Sequence, residues 1–307
     1  MKLLAATSFI VMIFIFYFIF SRSWPVFRAS GAGFFARAGF DAQIREAFYS
    51  SADEPMLVFG MLGLISGTIA TSVFAVLIAL VAGVGGAIAI CEFAPKKIGV
   101  VLMAFVRLLA SIPSVIFGLI GIITVVPWIR DNFVTDSLVI EHLDYFQITG
   151  RGLLSSIILT FMVMPTVISL SADAINSVPV TYKEAGVSFG MSKFRVVWKI
   201  LLPSARSGII ASIILAFGRG LGEAIAVSMV CGGLGIVPDF SRGFVSLLAP
   251  VLPLSSAIIN KSEAMGSAAV ESTLYSCAAV LLITGAALSL CARIVKRQQR
   301  KAYGYDS

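Results

Sequence analysis

Charge is scarce in this chain of 307 residues: 13% of positions are charged and 58% are hydrophobic, whereas a water-soluble domain carries about 25% charged residues. One soluble core cannot hide that much apolar surface behind so few charges, which excludes an ordinary globular enzyme. Histidine occurs once, as His142, and cysteine four times, as Cys91, Cys231, Cys277 and Cys291. Neither residue type falls at metal-ligand spacing, so no metal site is expected and the cysteines read as packing residues. His142 stands with Glu141 and Asp144 in a polar stretch and reads as a solvated loop. There is no G-x-x-x-x-G-K-[ST] segment, so any ATP is bound by another polypeptide. Paired catalytic acids, a histidine within an apolar run and a nucleophile elbow are also missing. No catalytic residue and no cofactor are therefore expected.

What the chain does contain is long apolar runs. Crossing about 30 Å of hydrocarbon takes roughly 20 helical residues at about 1.5 Å each. Six runs qualify: Leu3 to Phe20, Leu62 to Ile90, Val100 to Val126, Leu153 to Ala172, Gly208 to Gly232 and Thr273 to Ala292. The first resembles a signal-peptide core but is long for one and lacks a small-x-small cleavage site before Trp24, so it is expected to stay as a helix. The fold class expected is an all-α membrane protein with six transmembrane helices.

Basic residues orient it, because cytoplasmic loops are enriched in Lys and Arg. With the N-terminus inside, the inner segments hold Lys2, Lys96, Lys97, Lys183, Lys193, Arg195, Lys199, Arg206 and a basic C-terminal cluster from Arg293 to Lys301, against four acids, Glu92, Asp173, Glu184 and Asp306. The outer segments hold eight basic residues against eleven acids. Both termini are therefore expected in the cytoplasm. The same asymmetry explains a pI near 9.4 without nucleic acid as a partner.

No internal repeat or low-complexity linker is visible. The division expected is an N-terminal anchor and outer loop (1–61), a membrane core (62–292) and a basic cytoplasmic tail (293–307). One inner connection, residues 173–206, is too polar to span and is patterned as two short helices separated by Gly190. In the second, Phe194, Val197, Trp198 and Leu201 fall at i, i+3, i+4 and i+7, which predicts one buried face opposite Arg195 and Lys199. Ser192 is placed to cap that helix, and Pro203 is expected to interrupt the helical pattern before the fifth membrane helix.

Read as letters, Glu184-Ala185-Gly186, then Gly190, then Ile200-Leu201-Leu202-Pro203 resembles the EAA…G…I-LP coupling motif of type I ABC importer permeases, with Gly186 where alanine is usual. Ile112-Pro113-Ser114-Val115-Ile116-Phe117-Gly118-Leu119, Met164-Pro165-Thr166 leading to Asp173-Ala174 and Val178-Pro179, and Gly218-Arg219-Gly220-Leu221-Gly222-Glu223-Ala224-Ile225-Ala226-Val227 are similar to signatures of the phosphate-specific members. The Ala226-Val227 ending fits their C-type subunit. Gly220, Ala224, Val81 and Arg107 depart from the usual residues, which leaves open a relative carrying another oxyanion such as sulfate or molybdate. The resemblance implies a type I permease fold in a bacterial inner membrane and a translocation pathway shared with an A-type permease subunit. It also implies docking of a cytoplasmic ATP-binding subunit dimer on Glu184, Ala185, Gly186, Gly190, Ile200, Leu202 and Pro203, and delivery by a periplasmic phosphate-binding protein.

Charges inside apolar runs mark candidate pathway residues, since an ionised side chain near the bilayer centre costs about 2.5–3.5 kcal/mol on insertion scales. Arg219 and Glu223 stand at i, i+4, which on a continuous helix lets them pair. The planar guanidinium suits phosphate oxygens. A permanent intrahelical ion pair is the plainer reading of the two. Arg107 is a third candidate, or else a side chain reaching back to the membrane surface. Gly218 and Gly222 form a G-x-x-x-G face for close helix packing.

Overall fold

A computed structural model describes residues 2–50, 55–142 and 149–302 of the chain. Residues 303–307 of the expected tail, and Asp144 of the polar stretch, lie outside the described residues. Among the described residues the only β contact is an isolated bridge between Gly232 and Val251. Six helical segments are long and apolar enough to cross a membrane: Ala6–Ser30, Leu62–Phe93, Ser114–Phe133, Leu154–Asn176, Lys193–Gly222 and Ala268–Ile294. The expected all-α, six-span class is what the chain adopts.

In chain order, α1 (Lys2–Ser30) carries the first run past Phe20 and through Pro25. Two short helices follow, α2 (Gly33–Ala36) and α3 (Phe40–Tyr49). Helix α4 (Leu62–Ile88) has no charge in its sequence and closes in a π-turn, Ala89–Phe93.

The third run departs from expectation. In place of one span over Val100 to Val126, α5 (Lys96–Ala110) stops, and α6 (Ser114–Ile120) begins after a non-helical Ser111-Ile112-Pro113. Proline has no N–H to return to the preceding turn and pushes the residue before it out of the α region. The Ser111 and Ile112 amides instead reach back three residues, to Leu108 and Leu109 carbonyls at 3.1 and 3.3 Å. A π-turn, Gly121–Val125, then joins α6 to α7 (Val126–Phe133), and these three pieces make the span. With Lys96, Lys97 and Arg107 in its sequence, α5 is a separate amphipathic helix.

Beyond α8 (Asp136–Glu141), α9 (Ile157–Asn176) is the most deeply buried of the spans. The inner connection supplies α10 (Val180–Ser188) and α11 (Lys193–Val196), and a π-turn, Val197–Leu201, leads into α12 (Leu202–Gly222).

The fifth run differs too, because α12 ends at Gly222 and α13 (Ile225–Val230) restarts after Glu223 and Ala224. Three glycines in the last turns each weaken a helix by about 1 kcal/mol relative to alanine. Three of the backbone groups at the break have side-chain partners. Glu223 Oε1 accepts the Ala226 N–H at 3.1 Å, and the Glu223 and Ala224 carbonyls accept the hydroxyls of Ser255 and Ser256 at 2.6 and 3.1 Å. Those serines open α15 (Leu254–Asn260), which follows α14 (Val245–Leu248); α16 (Ala268–Ala302) is the last helix.

Two compact units divide the chain. The first comprises residues 1–71, 118–156 and 221–284. Its core packs Val26, Phe34, Phe40, Phe59 and Met61 with Leu252, Leu254 and Leu274. Asp41 pins it by accepting the Gly235 N–H at 2.6 Å and pairing with Lys261 at 2.7 Å. A Cβ on Gly63 would lie 1.9 Å from the Gly235 carbonyl oxygen. Because backbone atoms have little freedom to move aside, Gly63→Ala is expected to cost about 1–3 kcal/mol. Gly285 in α16 meets nothing within 4 Å, so Gly285→Ala is expected to hold or raise stability by up to about 1 kcal/mol. Thermal unfolding midpoints in detergent check both; an unchanged midpoint in Gly63→Ala contradicts the close approach.

The second unit comprises residues 72–117 and 157–220 and the end of α16 from Gly285. Ala87, Ala172, Ile175 and Val178 pack there with Val196, Val197, Leu201 and Ala205. Small residues set its helix crossings: ideal Cβ atoms on Gly83 and Gly208 would meet Val167 and Ala174 side-chain atoms at 2.8 and 2.3 Å. Ser171 and Ser212 hydroxyls share a hydrogen bond of 3.0 Å across α9 and α12.

Candidate functional site

The inner connection folds as two short helices because its punctuation residues close the first and start the second. After α10 the Met191 N–H reaches the Gly186 carbonyl at 3.1 Å and the Gly190 N–H reaches Val187 at 2.9 Å. This is the paired bonding of a Schellman ending, which needs a left-handed residue at its hinge. Gly190 fills that position with φ of +73°. Ser192 then accepts the Arg195 N–H at 3.4 Å and caps α11 as its sequence position suggested.

Gly186 is buried against the second helix: an ideal Cβ on it would lie 2.6 Å from Ile200 Cδ1 and 3.0 Å from Val196 Cγ2. Glu184 and Ala185 face outward, Ile200 and Leu202 are half-buried, and Pro203 is exposed. The stripe that packs inward is Val196, Val197 and Leu201, not the expected Phe194, Val197, Trp198 and Leu201. Phe194 and Trp198 remain 63% and 56% exposed, with ring centroids 5.9 Å apart. The π-turn is the physical reason, since one extra residue per turn rotates the side-chain register. It corrects the expectation at Pro203 as well. That proline is the second residue of α12, and the helical run continues from Lys193 to Gly222. The widened turn ends in a Leu202 N–H bond to the Val197 carbonyl, in the register just before the residue that has no N–H to give.

Phe189, which is 87% exposed, and Val187 are further exposed apolar side chains of the loop, and Glu184 is exposed as well.

The pathway candidates are placed separately. Arg219 is exposed near the end of α12, and its Nη1 donates to Thr166 Oγ1 at 3.0 Å, one residue past Pro165 of α9. Glu223 lies beyond the helix end and is occupied with the Ala226 N–H. The i, i+4 helical pairing expected of the two is thus replaced by a separate partner for each, because the glycine-weakened helix stops between them. Arg107 is exposed in the last turn of α5. Among the described residues no group of three or more His, Cys, Asp or Glu is gathered to hold a metal.

Sequence reasoning missed Thr166 as the Arg219 acceptor, although it stands in a quoted motif. It also missed Ser255 and Ser256, whose role becomes visible only once the helix break is known, and Glu92, which pairs with Lys183 across 91 positions.

Residues 75–301 are similar to the family described as binding-protein-dependent transport system inner membrane component. The chain is 30% identical over 245 residues to the probable ABC transporter permease protein YqgH of Bacillus subtilis (strain 168), spanning 79% of this chain and 73% of that one. It is 31% identical over 290 residues to the probable phosphate transport system permease protein PstC of Methanocaldococcus jannaschii, spanning 92% and 87%. A chain of the bacterial alginate ABC transporter, crystallised with its alginate-bound periplasmic protein, superposes with a TM-score of 0.56 at 15% identity over 98% of this chain and 96% of that one. At that identity the likeness is one of fold.

Proposed function

The chain belongs to the family of binding-protein-dependent transport system inner membrane components, and from that we propose that it is a membrane-spanning permease subunit of an ATP-driven phosphate importer. It is a transport subunit and no enzyme; ATP is hydrolysed by a partner chain. The observation that carries this reading is the docking loop. Two short helices hinged at Gly190 turn Glu184, Ala185 and the Phe189, Phe194 and Trp198 rings outward, while Gly186 and Ile200 pack them together. Such a surface suits a cytoplasmic ATP-binding dimer, with Leu202 and Pro203 leading its displacement into α12.

Phosphate as cargo is supported by the relative named as a phosphate transport permease and by the chemistry of Arg219. Its guanidinium is tethered through one nitrogen to Thr166, which leaves the rest of the fork for an anion. Glu223, four residues on in sequence, and Arg107, in the last turn of α5, are the other two candidate pathway residues. The pathway is completed by an A-type permease subunit, and a periplasmic phosphate-binding protein delivers the anion. Residues 1–61 act as an added anchor ahead of the permease core of 62–292, and residues 293–307 as a basic tail. The chain lies in an inner (plasma) membrane with both termini cytoplasmic.

Labelled phosphate uptake in vesicles carrying the reconstituted complex tests the cargo. Unlabelled phosphate is expected to suppress uptake completely, and sulfate and molybdate at equal concentration to leave it within about twofold. No uptake of labelled phosphate, with labelled sulfate or molybdate accumulated in its place, transfers the assignment to another oxyanion.

A further inference from the structure

Two contacts fasten the docking loop to the end of α4, one on each side of Gly190. Glu92, in the π-turn that closes α4, pairs its carboxylate with Lys183 Nζ, and Lys183 immediately precedes Glu184 in α10. The Glu92 side chain is only 8% exposed. A carboxylate so withdrawn from water is held by its partner, and removing that partner strands a buried charge. The next residue, Phe93, carries Lys193 Nζ over its ring at 5.5 Å from the centroid, within reach of a cation–π attraction. Lys193 opens α11. Consecutive residues at one helix end thus hold both halves of the loop.

Apolar contacts alone do not give this link its direction. The loop also packs on α4 through the cluster that contains Ala87, Val196 and Leu201, but burial of apolar surface is non-directional and tolerates sliding. An ion pair and a cation over a ring fix the register between the loop and the helix end. We infer that Glu92 is a positioning residue of the coupling machinery: through Lys183 it carries displacement of the docking loop into α4, so that ATP-driven movement reaches the second membrane helix as well as α12. This rests on the importer reading above.

The test uses the complete reconstituted complex with labelled phosphate outside, and reads phosphate taken up per ATP hydrolysed in Glu92→Gln, Lys183→Gln and the charge swap Glu92→Lys with Lys183→Glu. The single variants are expected to assemble and hydrolyse ATP but to lose at least about tenfold in uptake per ATP. The swap is expected to return to within about threefold of the original chain. Single variants that keep the original ratio overturn the inference, as does a swap that assembles and stays uncoupled. Loss of assembly in place of loss of coupling also overturns it, in favour of a pair that only holds the fold. If the unaltered complex itself shows no uptake tied to hydrolysis, the importer reading falls first; intact coupling with indifferent variants sinks Glu92 alone.

Discussion

Replacing Gly186 by leucine is expected to lower ATP-driven phosphate uptake by on the order of 100-fold. The cause is local and steric. The first side-chain atom at this position would stand 2.6 Å from Ile200 Cδ1 and 3.0 Å from Val196 Cγ2, and leucine adds three more carbons in the same direction. Overpacking of this kind costs about 1–3 kcal/mol, which is roughly 5- to 150-fold in an equilibrium. The strain is relieved by moving α10 away from the second helix, which carries Glu184 and Ala185 out of register with Phe194 and Trp198. Alanine is the control. Ile200 Cδ1 is the far end of a flexible chain and can turn aside, so Gly186→Ala is expected to stay within about threefold, in keeping with the alanine usual at this position in the resembling motif. Uptake and co-purification of the ATP-binding subunit are to be measured together. Leucine at 186 with both unchanged would show that this packing does not shape the docking surface.

Arg219→Gln is expected to lower uptake by about 10- to 150-fold, the range set by losing charge-assisted hydrogen bonds of about 1.5–3 kcal/mol. Glutamine brings no charge and ends two bonds short of the nitrogen that meets the Thr166 hydroxyl, so the anion site loses its cation. Arg219→Lys keeps the charge without the planar fork and is expected to fall between the two. Co-purification of the ATP-binding subunit is expected to be unaffected in both, which separates this class of variant from the Gly186 class. Glu223→Gln retains the oxygen that accepts the Ala226 N–H, so any loss of uptake there reports the charge and not the helix restart. Full phosphate uptake in an assembled Arg219→Gln complex would remove Arg219 from the pathway.

The docking loop was the most legible part of the molecule in the sequence. Its hinge glycine and capping serine each have local causes, and each is found where the letters put it. What the letters hid was the π-turn at Val197–Leu201. The residues there are as compatible with an ordinary helical turn, and only their register against Ala87 and Ile175 distinguishes the two. The breaks in the third and fifth runs were hidden for another reason. Hydropathy is blind to backbone continuity, so Ser111-Ile112-Pro113 and Glu223-Ala224 sit inside stretches that score as single spans. The freed carbonyls at the second break are answered by Ser255 and Ser256, about 30 positions away. Glu92 and Lys183 were unreadable for the same cause, because ion-pair partners distant in sequence leave no periodicity to detect.

Under the proposed function, import is driven by ATP hydrolysis in a partner seated on the loop from Glu184 to Pro203. The measurement that reaches this most directly is labelled phosphate uptake into vesicles bearing the whole complex, with ATP or a non-hydrolysable analogue on the cytoplasmic side. Accumulation with ATP and none with the analogue is the expected result. Equal accumulation with both would contradict it and would make the chain a gradient-driven carrier.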